Sequence, residues 1–185
     1  MTCAAGPRRA GGTQVTLTAM LNARNHRFER QRTALRRFDR PLVSVTLVMP
    51  GPEKDTPLTR RLMEVAAAEL QFLFGRRGWR VVHAARVTEM TGIEALYVVD
   101  TDAVPLKLAV CELEQSHPLG RLWDMDVFCP AHGRLSRRGL GFPPRRCLIC
   151  GEPAHACARA QRHPLAELLA AIQETVDGYS FCPVG

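Results

Sequence analysis

Two hydrophobic periods, and the order in which they alternate, predict an α+β fold. Apolar residues recur at every second position in 42–48, 79–87, 93–99 and 121–128, the period of strands. They recur with 3.6-residue spacing in 57–74 and 105–116, the period of helices. The resulting order is β-α-β-β-α-β, with a helical stretch on each side. That order predicts an antiparallel sheet carrying two helices on one face, the split βαβ or ferredoxin-like arrangement.

Residues 1–15 are rich in Gly, Ala and Arg without pattern, and the expectation is a disordered tail before one domain over 16–185. From Thr16 a helical stripe of Leu17, Met20, Leu21, Phe28, Leu35 and Phe38 runs opposite Arg24, Arg27, Arg30, Arg32, Arg36 and Arg37. The pattern reads as an amphipathic helix docked by its apolar stripe with a solvated basic face. Leu42–Val48 alternates as a strand. Thr56 and Pro57 then open a helix that buries Leu58, Leu62, Val65, Leu70 and Leu73 and leaves through Gly75 and Gly78. Two strands follow, turning near Gly92. Leu106, Ala109, Val110 and Leu113 mark the next helix. Residues 129–163 form a Cys- and Arg-rich insert with no period. Pro164 begins a last helix with Leu165, Leu168, Leu169, Ile172 and Val176 facing inward.

The chain has 185 residues and a formal net charge of +7, which permits an acidic protein, a polyphosphorylated ligand or nucleic acid as partner. Lys54 and Lys107 are the only lysines among its 25 basic residues. Guanidinium groups suit phosphate because they donate in a planar fork. No run nears the ~18 apolar residues of a membrane span, and no apolar stretch follows Arg8 and Arg9, so neither a membrane segment nor a signal peptide is expected. Seven cysteines, three of them crowded at 147, 150 and 157, suit a reducing cytoplasm and a metal site better than a disulfide framework.

Four groups of residues can carry chemistry. Asp124 and Asp126 sit in Arg121-Leu122-Trp123-Asp124-Met125-Asp126-Val127-Phe128, where alternation puts Leu122, both acids and Phe128 on one strand face. Carboxylates two apart lie roughly 6.5–7 Å apart along a strand. They can share Mg²⁺ and so hold a polyphosphate; the plain alternative is a half-exposed polar face paired with arginines. His117 and Arg121, in the turn that enters this strand, are a candidate general base and a candidate phosphate cation; a turn histidine bonded to backbone is the alternative. Gly51, Lys54 and Arg60 surround a capped helix start, which is either an anion site or an ordinary turn. Cys147-x₂-Cys150 has the spacing of a zinc half-site, which Cys157 with His163 or His155 can complete. Such a site would hold Arg145, Arg146, Arg159 and Arg162 in place to grip phosphates, and Arg137 and Arg138 are a further pair.

The motifs Pro41-Leu42-Val43-Ser44, Pro50-Gly51-Pro52-Glu53-Lys54-Asp55, His117 to Val127, Leu135-Ser136-Arg137-Arg138, and Pro143-Pro144-Arg145-Arg146-Cys147-Leu148-Ile149-Cys150 through Cys157-Ala158-Arg159 resemble the apo-citrate lyase phosphoribosyl-dephospho-CoA transferase family, also called holo-citrate-lyase acyl carrier protein synthase. The resemblance spans about residues 17–177. It implies a nucleotidyltransferase-type enzyme of the cytoplasm, built on a palm-like sheet. The donor would be 2′-(5-triphosphoribosyl)-3′-dephospho-CoA and the acceptor a serine of the small acyl carrier subunit of citrate lyase. A phosphodiester would form and pyrophosphate would leave. Within that expectation Asp124 and Asp126 hold Mg²⁺, while Arg121, Lys54 and the arginine pairs receive pyrophosphate. The arginine-rich first helix would steer an acidic carrier. Two rival readings are a zinc-containing basic nucleic-acid-binding module and a non-catalytic citrate lyase assembly factor. The first leaves the aspartate pair without a task.

Overall fold

The computed structural model describes residues 15–180. The disordered tail expected for 1–15 falls outside these residues except for Val15, whose N–H donates to the Pro52 carbonyl. The described chain is α+β. It runs α1 (Leu17–Phe38), β1 (Leu42–Leu47), α2 (Pro57–Arg77), β2 (Arg80–Glu89), β3 (Gly92–Asp100), α3 (Ala103–Ser116), a 3₁₀ turn at Gly120–Leu122, β4 (Trp123–Cys129), β5 (Gly133–Arg134), α4 (Ala154–Arg159) and α5 (Leu165–Asp177). The strands form one sheet in the order β2-β3-β1-β4-β5, with every neighbouring pair antiparallel.

Alternation along the central strands decides what each face meets. Val43 and Val45 of β1, Ala95, Tyr97 and Val99 of β3, and Trp123, Met125 and Val127 of β4 join Leu62, Leu70 and Phe74 of α2, Leu106 and Val110 of α3, and Ile172 and Val176 of α5 in the main core. The opposite face is mixed. Leu42, Leu96 and Val98 form a small apolar cluster with Ala34 of α1, while Ser44, Thr46, Glu94, Asp124 and Asp126 bring polar groups to the same side.

Helix α1 lies on that mixed face, and its docking departs from the sequence reading. Its buried residues are Ala23, Gln31 and Ala34, whereas Leu17, Leu21 and Phe28 are exposed. Only the Leu35 and Phe38 end of the expected stripe packs on the sheet. A polar sheet face explains the rotation. Gln31 Nε2 donates to Ser44 Oγ at 2.8 Å, and Glu94 receives Arg30 and, at 3.6 Å, Arg27 Nε. Ala23, Gln31 and Ala34 therefore face the sheet, while Leu17, Leu21 and Phe28 stay exposed and only Leu35 and Phe38 of the large apolar residues pack on it.

Two smaller differences matter near the site. The strand begins at Trp123, because Gly120–Leu122 forms a 3₁₀ turn. Leu122 consequently enters the main core and does not share the face of the aspartates. In α5, Ile172 and Val176 are buried, while Leu165 and Leu169 are about two-fifths exposed.

Candidate active site and cysteine cluster

Asp124 and Asp126 open into a cavity of about 600 Å³ between the sheet and α1. Antiparallel pairing sets Thr46 opposite Asp124 and Ser44 opposite Asp126. Lys54, Arg24 and Arg27 line the same cavity, with Glu94 and Arg134. The acids are half in solvent: their side chains are 50% and 32% exposed. Each has a guanidinium at long range, Arg145 Nη2 at 3.6 Å from Asp124 and Arg134 Nη1 at 3.4 Å from Asp126. Each acid thus has an arginine neighbour, as the plain alternative expects, while both open into the cavity. Lys54 donates to the Met49 carbonyl, and burial lowers its pKa.

The other expected residues go elsewhere. His117 caps the C-terminus of α3. Its Nδ1 accepts the Leu119 N–H at 3.0 Å, and its ring stacks on Trp123 with centroids 4.5 Å apart. Trp123 points into the main core, so His117 stands on the opposite side of the sheet from the aspartates. Burial lowers its pKa, against a smaller upward pull from Glu69. The structure does not group it with Asp124 and Asp126.

Gly51 has φ +85° and packs against Leu165. Behind it the α2 N-terminus is closed by its own capping box: Thr56 Oγ1 accepts the Thr59 N–H and Thr59 Oγ1 accepts the Thr56 N–H. Arg60 donates twice to Asp55, both at 2.8 Å, and that partner holds the Asp55 carboxyl below its usual range. Lys54 alone of this group reaches the acid cavity.

Arg121, Arg137, Arg145 and Arg146 line a small pocket of about 200 Å³ on Glu114; Arg138 is exposed in the 3₁₀ turn Arg138–Leu140. Glu114 is 3% exposed. It receives Arg137 Nη1 at 2.7 Å, Arg145 Nη2, and the Met125 N–H at 2.9 Å. Burial raises its pKa in spite of these donors. Arg145 also donates to the Trp123 carbonyl at 2.6 Å. One arginine thus joins a buried acid, the β4 backbone and the rim of the Asp124 cavity. Sequence reasoning missed Glu114 and its buried neighbour Lys107, which donates to the Met125 carbonyl at 3.0 Å. The signal was present: Glu114 sits four residues past Val110 on the inward stripe of α3.

The cysteine insert does converge. The ligand atoms of Cys147, Cys150, Cys157 and His163 all lie within 4.8 Å of one another, an arrangement that can hold a metal ion. His155 is exposed and outside this group. Burial opposes charge on Cys147, but hydrogen bonds from the N–H groups of Cys150 and Ile149 and from the Cys157 and Cys150 thiols together outweigh it, and its pKa falls to about 6. Burial and the neighbouring thiols push Cys157 up to about 11. The thiols are free, not disulfide-linked.

Comparison with known proteins agrees with the motif blocks. The model of the family described as apo-citrate lyase phosphoribosyl-dephospho-CoA transferase matches residues 15–179. Curated proteins bearing that name from Escherichia coli (strain SMS-3-5 / SECEC) and Shigella boydii serotype 18 are each 40% identical over 178 residues, covering 96% of this chain and 97% of theirs. A protein of Escherichia coli strain 55989, named as a probable member, matches to the same extent. With the match spanning nearly the whole of both chains, this chain belongs to the apo-citrate lyase phosphoribosyl-dephospho-CoA transferase family.

Proposed function

We propose that this chain is the transferase that moves the phosphoribosyl-dephospho-CoA group from its triphosphorylated donor to a serine of the acyl carrier subunit of apo-citrate lyase, in the cytoplasm. The observation that carries the reading is the cavity that exposes Asp124 and Asp126 together with Lys54, Arg24 and Arg27. Acids and cations side by side suit a polyphosphate that arrives with a divalent ion. The succession β1-α2-β2-β3-α3-β4, with strand order β4-β1-β3-β2, supports reading the sheet as a ferredoxin-like, palm-like platform for that chemistry.

Asp124 and Asp126 are hard oxygen donors on adjacent same-face positions of one strand, a set that fits Mg²⁺. Bound there, Mg²⁺ would supply charge neutralisation at the donor's phosphates. The rest is the work of the side chains. Lys54, Arg24 and Arg27 attract and orient the triphosphate. The serine oxygen attacks the phosphorus nearest the ribose; its new P–O bond replaces the bond to the departing pyrophosphate, whose charge these cations take up. The serine proton passes to one of the two cavity carboxylates, and His117 holds the end of α3 against Trp123. A cavity of about 600 Å³ lies within the roughly 300–1,000 Å³ of small-molecule sites and suits the triphosphoribosyl end of the donor. The arginines of α1 receive an acidic carrier.

Incubation with apo carrier protein, the triphosphoribosyl donor and Mg²⁺, followed by intact mass, tests the reading. The carrier should gain one prosthetic group and pyrophosphate should appear. Carrier binding without mass gain would favour an assembly factor, and nucleic-acid binding alone would favour the basic-module reading.

A further inference from the structure

We propose that Cys147, Cys150, Cys157 and His163 form a closed, structural Zn²⁺ site that fixes the Arg145–Cys147 segment beside Asp124.

The distances favour zinc. A tetrahedral ion with Zn–S of about 2.3 Å and Zn–N of about 2.0–2.1 Å separates its ligands by roughly 3.5–3.8 Å. Cys150 Sγ lies 3.5 Å from Cys157 Sγ and 3.4 Å from His163 Nε2. These are separations that a shared ion produces and a disulfide does not. Three soft thiolates and one imidazole match the donor set of a structural zinc and disfavour Mg²⁺ or Ca²⁺.

The surroundings are also those of a zinc site. The N–H groups of Ile149 and Cys150 turn back on Cys147, as in a tight thiolate turn. The hairpin around them is closed by Cys147 N–H to Glu152 O and Ala154 N–H to Arg145 O, both 2.8 Å, across the Arg146–Pro153 bridge. His163 presents Nε2 to the thiols, while its Nδ1 faces Glu167 Oε2 at 4.0 Å. A carboxylate behind the metal-bound imidazole sets the ring's tautomer and raises its basicity. Glu167 stands at ion-pair distance from the ring, 58% exposed, and within the proposal it is the group that closes on Nδ1 to orient the imidazole.

What the ion holds follows from connectivity. Cys147 leads directly back to Arg146, whose carbonyl accepts from Arg121, and to Arg145, which reaches Glu114, the Trp123 carbonyl and Asp124. His163 leads into α5. The ion therefore ties an insert of little apolar content to the β4 strand and to α5, where packing alone would leave it loose. With four protein ligands no position stays open for water or substrate, so the centre is structural and takes no part in the transfer.

The test uses the full-length protein and needs no donor or carrier, so it can fail while the transferase reading stands. Elemental analysis of protein purified without chelators should give close to one zinc per chain. Cobalt exchanged into the wild type should show the thiolate charge-transfer and intense ligand-field bands of a tetrahedral S₃N site. Glu167→Gln should fold normally yet lose zinc to a competing chelator at about 10–100-fold lower chelator concentration, the usual weight of an orienting partner. Zinc-free protein with Cys147 freely titratable, an octahedral cobalt spectrum, or Glu167→Gln indistinguishable from wild type in metal competition would each overturn the assignment.

Discussion

The two faces of the central sheet are built by the same strands and answer to different rules. On one, Trp123, Met125 and Val127 meet α2 and α3 and are fully buried. On the other, Asp124 and Asp126 stand between them in sequence and face a polar cavity under α1. A one-residue step in β4 thus separates a residue that holds the fold from one that faces the cavity and that we propose serves the reaction. The contrast teaches that a carboxylate in a hydrophobic strand becomes informative once the face opposite it is known. Glu114 makes the same point from the other direction. It faces the core side and is enclosed by two arginines and a backbone N–H, and its work is architectural.

The comparison can be broken most severely by moving charge across the strand. Met125→Asp places a carboxylate where Met125 is 1% exposed. An unpaired buried charge costs several kcal/mol, comparable with the ~5–15 kcal/mol stability of a domain. Urea titration should find it largely unfolded, and native-like stability would refute the two-face account.

Asp124→Asn should act in the opposite manner. Transfer, followed by carrier mass, should fall about 10³-fold, which corresponds to several kcal/mol of metal-borne stabilisation. Its urea midpoint should shift little, because the side chain is half exposed. A variant that still transfers at near wild-type rate would remove the aspartate from the mechanism.

A smaller effect belongs to His117. Burial holds its folded-state pKa below the ordinary 6.5. Above that value the imidazole is neutral in both states and its packing contributes fully. As pH drops, the unfolded chain takes the proton first, so stability is lost through the folded-state pKa. Unfolding midpoints measured from neutral pH downward should decline less steeply in His117→Asn than in wild type. If the slopes coincide, the histidine is not the buried, neutral group described.

The smallest change is expected at Phe28, which is 57% exposed on α1. Phe28→Ser should alter stability by within about 0.5 kcal/mol, as thermal denaturation can check. A loss typical of a core phenylalanine would mean that the apolar stripe of α1 is the docked one after all.

Much of the architecture was legible because it depends on local period. The strands at 42–47, 80–89 and 92–100 and the helices α2 and α3 follow directly from spacing and caps such as Thr56 and Gly78. Helix α1 was found as a helix but rotated, since Leu17, Leu21 and Phe28 outweigh Ala23, Gln31 and Ala34 in any hydrophobic count. Which stripe docks depends on Ser44 and Glu94, residues that a helix's own pattern does not contain. His117 lies apart from the aspartates for a related reason. Seven residues from Asp124 in sequence, it is turned to the other side by the 3₁₀ step at Gly120–Leu122. Gly120 permits that step, since a Cβ there would lie 2.3 Å from the Glu114 carbonyl oxygen.

By itself the sequence determined the family, the order of elements, the same-face placement of Asp124 and Asp126, and the Cys-x₂-Cys half of the cluster. Each is a matter of identity or short-range spacing, which the covalent chain carries. Tertiary structure alone decided that Lys54 and the α1 arginines join the acids, and that Arg145 and Arg137 gather on Glu114. It also decided that His163, and not His155, meets the thiols. Those outcomes depend on which faces pack together, and burial is settled by the whole set of neighbours at once.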